Sequence, residues 1–160
     1  NINYQKDKED AGYKKGQESK NNILLDSLYN TDRLIVGSKK LVDFLKSKKI
    51  KNVEYLPVKI VGKNKRVVSK DYFIVNPIYP IDCLDLKKSG PKYSKIVKTN
   101  ISEVKQLIIS EKRIPMNIKI FRINHFYDPI IIAKDLAKEI DDKKLTGIRW
   151  IRQEDYPEKD

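Results

Sequence analysis

The chain of 160 residues predicts a single domain, and its 39% hydrophobic content is enough for a packed core, which argues against a disordered chain. Its 34 Lys and Arg residues outnumber its 22 Asp and Glu residues, and the resulting net charge of +12 favours an acidic partner: nucleic acid, an anionic membrane or an acidic protein surface. An A/T-rich genome explains the many Lys, Ile, Asn and Tyr residues equally well.

No apolar run reaches the roughly 20 residues of a membrane-spanning helix, so we expect no span. Cys83 is the single cysteine, which excludes an internal disulfide and indicates a reducing compartment. We therefore expect a cytoplasmic protein, although a first residue of Asn rather than Met is compatible with a removed leader. Residues 1–22 are almost entirely polar, and they predict a flexible or peripheral segment.

The body of the protein is expected to begin with a short apolar patch, "ILLDSLYN" (23–30), which we interpret as a helical turn. The run at 34–36 predicts a buried strand. Ser38 is placed to cap the helix that follows, because its hydroxyl can accept an N–H of the first turn. Leu41 and Leu45 lie on one face of that helix.

The next region reads as β structure. Alternation over 52–61 predicts a strand, and Pro57 places its neighbourhood either at the edge of a sheet or at a bulge. Residues 62–66, "GKNKR", predict a hairpin turn. Residues 67–86 predict a central strand that two prolines bring to an end, and 87–95 predict a basic loop.

The second half of the chain contains three predicted strands. The β-branched pair within 104–110 favours a strand there, 117–123 alternates cleanly, and 130–132 is a continuous apolar run. A helix with Leu136 and Ile140 on one face follows. A turn and a last short strand then complete the domain.

Two segments, 32–60 and 128–151, carry nearly the same pattern. Aligned on Leu41 and Leu136, each has an apolar residue four positions on, then a Lys-Lys pair, and then an aromatic residue. We interpret this pattern as an internal duplication of a strand–helix–strand unit, which fits a parallel pair with a right-handed crossover. The second copy has Ala133 where the alignment expects a Ser cap, a loss of about 1 kcal/mol unless a neighbouring Asp compensates.

These elements predict one α+β, or mixed α/β, domain over 23–152. We expect a mostly antiparallel or mixed sheet with at least two strand–helix–strand units and with helices packed on the sheet. The polar tail at 153–160 is expected to fray.

Four blocks in this order resemble a known family: "VEYLPVKI", "DYFIVNPIYPIDCLDLKKS", "IKIFRI" and "DPIIIAKDLAKEIDDKKLTGIRW". The chain is similar over about 32–152 to bacterial immunity proteins of polymorphic-toxin systems. Three departures are the "KN" before Val53, where the family has Gly, Ala133 in place of Ser, and the strong positive charge. The resemblance implies a protein that binds and blocks one cognate toxin, and it supplies no catalytic residues.

Enzyme chemistry has little support in the sequence. Cys83 and His125 could form a nucleophile–base pair, but a lone Cys after a β run is usually a small core side chain. Asp82 and Asp85 could act as acid and base, but they more often cap a turn. Zinc needs three or four N or S ligands and only two such side chains exist. We expect no metal, no cofactor and no enzymatic activity.

Basic loops with aromatic residues are the expected contact surface, because loops carry recognition and interfaces favour Tyr and Arg. The expected partner is a toxin with an acidic contact face. The alternative is a nucleic-acid-binding accessory domain, although no helix–turn–helix, zinc-finger or RNA-recognition signature accompanies the charge. The candidate contact residues are Lys63, Lys65, Arg66, Tyr79, Lys88, Lys92 and Tyr93.

Overall fold

The computed structural model describes residues 2–3, 24–62 and 65–158. The peripheral segment predicted over 1–22 falls outside these residues, apart from Ile2–Asn3, which pair as a short strand. Across the described residues the fold is α+β, rich in strands, with antiparallel sheets and three α-helices.

The helices are α1 (Lys39–Ser47), α2 (Leu86–Ser89) and α3 (Lys134–Asp142). The strands are β1 (Ile2–Asn3), β2 (Ser27–Leu28), β3 (Ile35–Ser38), β4 (Val53–Val61), β5 (Val67–Pro77), β6 (Pro91–Tyr93), β7 (Ile101–Val104), β8 (Ile120–Ile123), β9 (Phe126–Ile132) and β10 (Trp150–Ile151). In the described part of the chain these strands form three sheets, with the orders β2-β3-β5-β4 for the first, β10-β1-β9-β8 for the second and β6-β7 for the third.

The first sheet and its helix form as the local sequence predicts. Ser38 caps α1, and its hydroxyl accepts the Leu41 N–H at 3.3 Å. Leu41 and Leu45 are buried on one face of that helix. Pro57 lies in β4, which is an edge strand of the sheet, where a residue without an N–H breaks no central ladder. Pro77 ends β5, again as predicted.

The second sheet is built around β9, which contains the predicted apolar run at 130–132. Helix α3 follows, and it buries Leu136 and Ile140 as the spacing predicts. Its N-cap, Ala133, makes no side-chain cap hydrogen bond, but the Asp135 carboxylate accepts the Leu136 N–H at 2.8 Å. Asp135 therefore supplies part of the missing cap.

The predicted pairing of parallel strands is wrong in one respect. β3 and β4 both run antiparallel to β5, which lies between them, so they are parallel to each other but not hydrogen-bonded. In the second sheet β1 lies in the same way between β9 and β10. The prediction considered only the residues within each strand–helix–strand unit. The strands that lie between, β5 and β1, come from residues outside those units.

The turns after α1 and α3 have the same backbone course. Lys49 and Lys144 follow the helix ends with φ of 51° and 52°. Three positions later, Asn52 and Gly147 also have positive φ, 64° and 79°. Asn and Gly are the residues that adopt this left-handed conformation most readily, which explains why Asn52 replaces Gly before Val53.

The described residues bury two apolar clusters. The first cluster contains the buried faces of α1 and α3, with Leu41 and Leu136 packed into the same core beside Val75 and Ile120. The other lies on the far side of the second sheet and contains Cys83, Phe121 and Phe126 among others. No helix in the described part of the chain is long and apolar enough to cross a membrane.

Two further predictions are corrected in local detail. Residues 27–28 form a strand rather than a helical turn, because Ser27 is buried and its N–H donates to the Thr146 carbonyl at 3.0 Å. The strand expected within 104–110 lies earlier, at β7. Ile108 leaves the ladder because its N–H donates to the Ser89 hydroxyl at 3.1 Å, so a tertiary contact overrides β propensity.

The last corrections concern the basic loop and the tail. The segment 87–95 contains the end of α2 and the strand β6, because Asp85 caps that helix. The tail is packed as far as residue 158. Gln153 donates its side-chain N–H to the Leu107 carbonyl at 3.0 Å, and the Tyr156 ring meets Phe126 edge-on at 6.2 Å.

Candidate partner-binding site

The residues predicted to contact a partner lie in three places: the tip of the β4–β5 hairpin, its open end, and the α2–β6 region. In that order they are Lys65 and Arg66, then Tyr79, then Lys88, Lys92 and Tyr93. Lys63 is outside the described residues. Tyr79 and Arg66 lie at opposite ends of an antiparallel pair in which β4 has nine residues, about 27 Å apart along the strands.

The tip of the hairpin is a closed turn. The Gly62 N–H donates to the Arg66 carbonyl at 2.9 Å, and the Lys65 N–H donates to the Gly62 carbonyl at 2.9 Å. Both basic side chains are exposed. Three exposed aliphatic residues accompany them: Val61, Val67 and Val68.

The α2–β6 region is less positive than its sequence indicates. Asp85 caps α2 by accepting the Lys88 N–H at 3.0 Å, and its carboxylate lies 3.9 Å from the Lys88 ammonium. Lys92 pairs with Glu103 on the neighbouring strand at 3.0 Å. Tyr93 is 52% exposed. Both lysines thus have an acidic partner within the protein.

Tyr79 occupies a different environment at the open end of the hairpin. The Tyr79 N–H donates to the Asn52 side-chain oxygen at 2.8 Å, and the Asn52 amide donates back to the Tyr79 carbonyl at 2.7 Å. The Ile78 N–H donates to the Asn52 carbonyl at 3.0 Å. We call these three hydrogen bonds the Asn52 clamp. They fix the backbone of the segment while the Tyr79 ring remains 71% exposed.

The corresponding turn after α3 faces inward. A Cβ added at Gly147 would overlap the Ser27 carbonyl oxygen and come within 2.8 Å of the Leu25 Cβ. Only glycine fits there, because both the positive φ and the close approach exclude a side chain. The turn at Asn52 therefore has a side chain available for the clamp that its counterpart lacks.

The charge beside Tyr79 is not neutralised. Lys49 and Lys51 are exposed, and neither has an ion-pair partner among the residues that the structure describes. Ile78 adds an aliphatic side chain that is 44% exposed. The clamped segment therefore combines an aromatic ring, an aliphatic side chain and two free positive charges.

Two of the groups considered for catalysis, Cys83 and Asp85, have structural roles. Cys83 is fully buried, and burial, with a smaller contribution from Asp82, raises the pKa of its thiol to about 11. His125 is exposed in the turn between β8 and β9, and its carbonyl accepts the Ile101 N–H at 2.6 Å. Asp85 is a helix cap. Cys83 is thus a core side chain and Asp85 a cap, as expected, whereas Asp82 is exposed.

A cleft of about 870 Å³ lies between the second sheet and the segments around 111–118 and 152–154. Apolar side chains such as Phe121 form part of its wall, and among its polar groups the Trp150 indole donates to Asp141 at 2.7 Å. Within the described ranges, no group of three or more His, Cys, Asp or Glu side chains is placed to hold a metal ion.

A comparison with protein families identifies the class to which this fold and surface belong. Residues 14–155 match the profile of the immunity protein family Imm11, so the chain is a member of that family. The resemblance read from the four sequence blocks is thereby confirmed. No curated protein matches the chain.

The Asn52 clamp is the feature of this site that sequence reasoning missed. The exposed Tyr79 was singled out, but its partner lies 27 residues away. The available signal was the "KN" before Val53, because an Asn in a position that requires positive φ brings an amide side chain to the same place.

Proposed function

We propose that this protein neutralises a cognate bacterial toxin by binding it directly. Its membership of the Imm11 immunity protein family, over 14–155, is the observation on which this proposal depends. Immunity by occlusion requires a stable surface rather than a reacting group. The proposed partner is a toxin of a polymorphic-toxin system, met in the cytoplasm.

The described side chains support a binding role rather than an enzymatic one. The acidic groups of the candidate sites act as caps or as ion-pair partners, and Cys83 is buried in a hydrophobic core. Exposed aromatic and basic side chains remain, and these are the residue types that interfaces use as anchors.

We also infer that 32–60 and 128–151 are copies of one strand–helix–strand cassette. Each helix has nine residues, the positive-φ positions recur at the same spacing, and in each sheet an antiparallel strand lies between the two flanking strands. The copies differ in exposure, since the turn of the first carries Asn52 and that of the second packs against Ser27. Duplication thus gives one outward-facing turn and one structural turn.

Toxicity rescue tests the proposal. The toxin encoded beside this gene is expressed in a bacterial host with and without this chain, and growth is measured. We expect growth only when the chain is present, and co-purification of the two proteins. Rescue without a stable complex would contradict direct binding.

The net charge of +12 favours a second candidate function, nucleic-acid binding. That function predicts an affinity that falls steeply with salt, because each neutralised phosphate releases counterions. A gel shift at about 50 and 200 mM salt separates the two functions. Tight, salt-sensitive binding of nucleic acid in the absence of toxin would favour this alternative.

A further inference from the structure

We propose that Tyr79, with Ile78, Lys49 and Lys51, is the anchor through which this protein docks on an acidic, apolar-centred surface of its toxin. The inference rests on the proposed function and assigns to it one surface and one chemical class of partner. We call these four residues the Tyr79 patch.

The first support is the rigidity of the patch. The Asn52 clamp holds the backbone at Ile78 and Tyr79 with three hydrogen bonds of 2.7 to 3.0 Å. A side chain presented from a fixed backbone loses less conformational entropy on binding than one on a free loop. Tyrosine is also enriched among residues that dominate binding energy.

The second support is exposure without an internal role. The Tyr79 ring is 71% exposed, and its hydroxyl has no hydrogen-bond partner in the described part of the chain. Tyr72, in the strand β5 that leads to Tyr79, differs in both respects: it is buried, and its hydroxyl donates to the Leu25 carbonyl at 2.7 Å. The Tyr79 ring is therefore largely exposed although the backbone that carries it is fixed.

Charge selects the partner. Lys49 and Lys51 lie in the same turn as Asn52 and have no acidic partner among the described residues, whereas Lys88 and Lys92 are already paired with Asp85 and Glu103. A second copy of this chain is disfavoured, since each copy has a net charge of +12. An acidic protein surface with an apolar pocket complements both features, and it would also accelerate association.

The experiment measures calorimetric affinity for the inactivated toxin, with the melting temperature of each variant as a check on folding. We expect Tyr79→Ala to weaken binding roughly 30-fold or more. Asn52→Gly keeps the left-handed backbone and removes the side-chain clamp, and it should weaken binding by a smaller factor, about 3- to 10-fold. Lys49→Glu with Lys51→Glu should weaken binding, and the loss of affinity should be largest at low salt, where charges are least screened.

Tyr93→Ala and Lys88→Glu with Lys92→Glu are matched controls, because they alter another exposed tyrosine and two lysines that already have acidic partners in the α2–β6 region. We expect less than about a 3-fold change in affinity for each. Loss of binding in these controls, or full affinity in Tyr79→Ala, would overturn the assignment of the surface while the proposed function stands. Failure of the unaltered chain to bind toxin would instead overturn the proposed function.

Discussion

Asp26 and Thr146 are hydrogen-bonded to each other beside the apolar cluster that contains α1 and α3. The Asp26 carboxylate accepts the Thr146 N–H at 2.9 Å and its hydroxyl at 3.0 Å, and the Asp26 N–H donates back to the Thr146 hydroxyl at 3.0 Å. The other carboxylate oxygen accepts the hydroxyl of Ser38, the cap of α1, at 2.8 Å. One carboxylate therefore links the start of α1 to the turn after α3.

Asp26→Ala should lower the free energy of unfolding by about 3 kcal/mol, because several hydrogen bonds to a charged, largely buried group are lost together. Asp43→Ala is the control. It removes an exposed pair with Lys39 and should cost less than about 1 kcal/mol. Urea unfolding at pH 7 measures both. Equal losses of unfolding free energy in the two variants would show that the hydrogen bonds of Asp26 between α1 and the turn after α3 do not stabilise the fold.

The same carboxylate predicts an acid limit to stability. Burial raises the pKa of Asp26, but the hydrogen bonds from Thr146 and Ser38 outweigh it, and the pKa lies below its ordinary value. A lowered pKa stabilises the fold fully above the unfolded value of about 3.9, and this contribution is lost as pH falls through the folded value. Unfolding measured from pH 6 to pH 3 should show a smaller acid slope in Asp26→Ala. An unchanged slope contradicts the assignment.

The two helix caps should respond differently to exchange. Ser38→Ala should cost about 1 kcal/mol, because a capping hydrogen bond is lost. Ala133→Ser should gain less than about 0.5 kcal/mol in the native background, since Asp135 already accepts the Leu136 N–H, but about 1 kcal/mol in an Asp135→Ala background. Urea unfolding of the unaltered chain, Ala133→Ser, Asp135→Ala and the double variant gives a double-mutant cycle. Equal gains in both backgrounds would show that Asp135 does not compensate for the missing cap.

The turns after α1 and α3 should differ in how well they tolerate substitution at Asn52 and Gly147. Gly147→Ala should cost more than about 2 kcal/mol, because its Cβ meets the Ser27 carbonyl and its φ is 79°. Asn52→Gly should cost less than about 1 kcal/mol, because glycine adopts the left-handed backbone freely. Thermal unfolding checks the order of the two. A greater loss in Asn52→Gly would reverse the roles given to these turns.

Cys83 should resist alkylation in the folded protein. It is fully buried, and burial raises the pKa of its thiol to about 11, so little thiolate is present at pH 8. Iodoacetamide labelling followed by mass spectrometry should show reaction only as urea unfolds the chain, with a midpoint equal to that of unfolding. Rapid labelling without urea would place the thiol at the surface.

Local signals predicted much of this fold. Ser38, Leu41 and Leu45 identify α1 because a cap and an i, i+4 pair act within one helix. The order of strands was not predictable, because β5 also pairs with β3 and β1 pairs with both β9 and β10, and these pairings join residues far apart in the sequence. Ile108 was misassigned because its strand propensity loses to a hydrogen bond from its N–H to a hydroxyl 19 residues away.

The candidate site was predicted unevenly for the same reason. Exposure of the basic residues follows from their charge, but whether each has an ion-pair partner does not. Lys92 pairs with Glu103 across strands β6 and β7, a contact that depends on their register. Asn52 needs tertiary structure to reach Tyr79. Sequence thus indicates which residue types are exposed, and tertiary contacts decide which remain free to bind.

The claim that this protein neutralises a toxin by binding is tested most directly by titrating the purified chain into its inactivated toxin in a calorimeter. We expect a saturable complex with a dissociation constant below about 1 μM that persists when nuclease removes any nucleic acid. Heat that disappears after nuclease treatment, or no complex at all with a toxin that the chain silences in cells, would contradict direct binding.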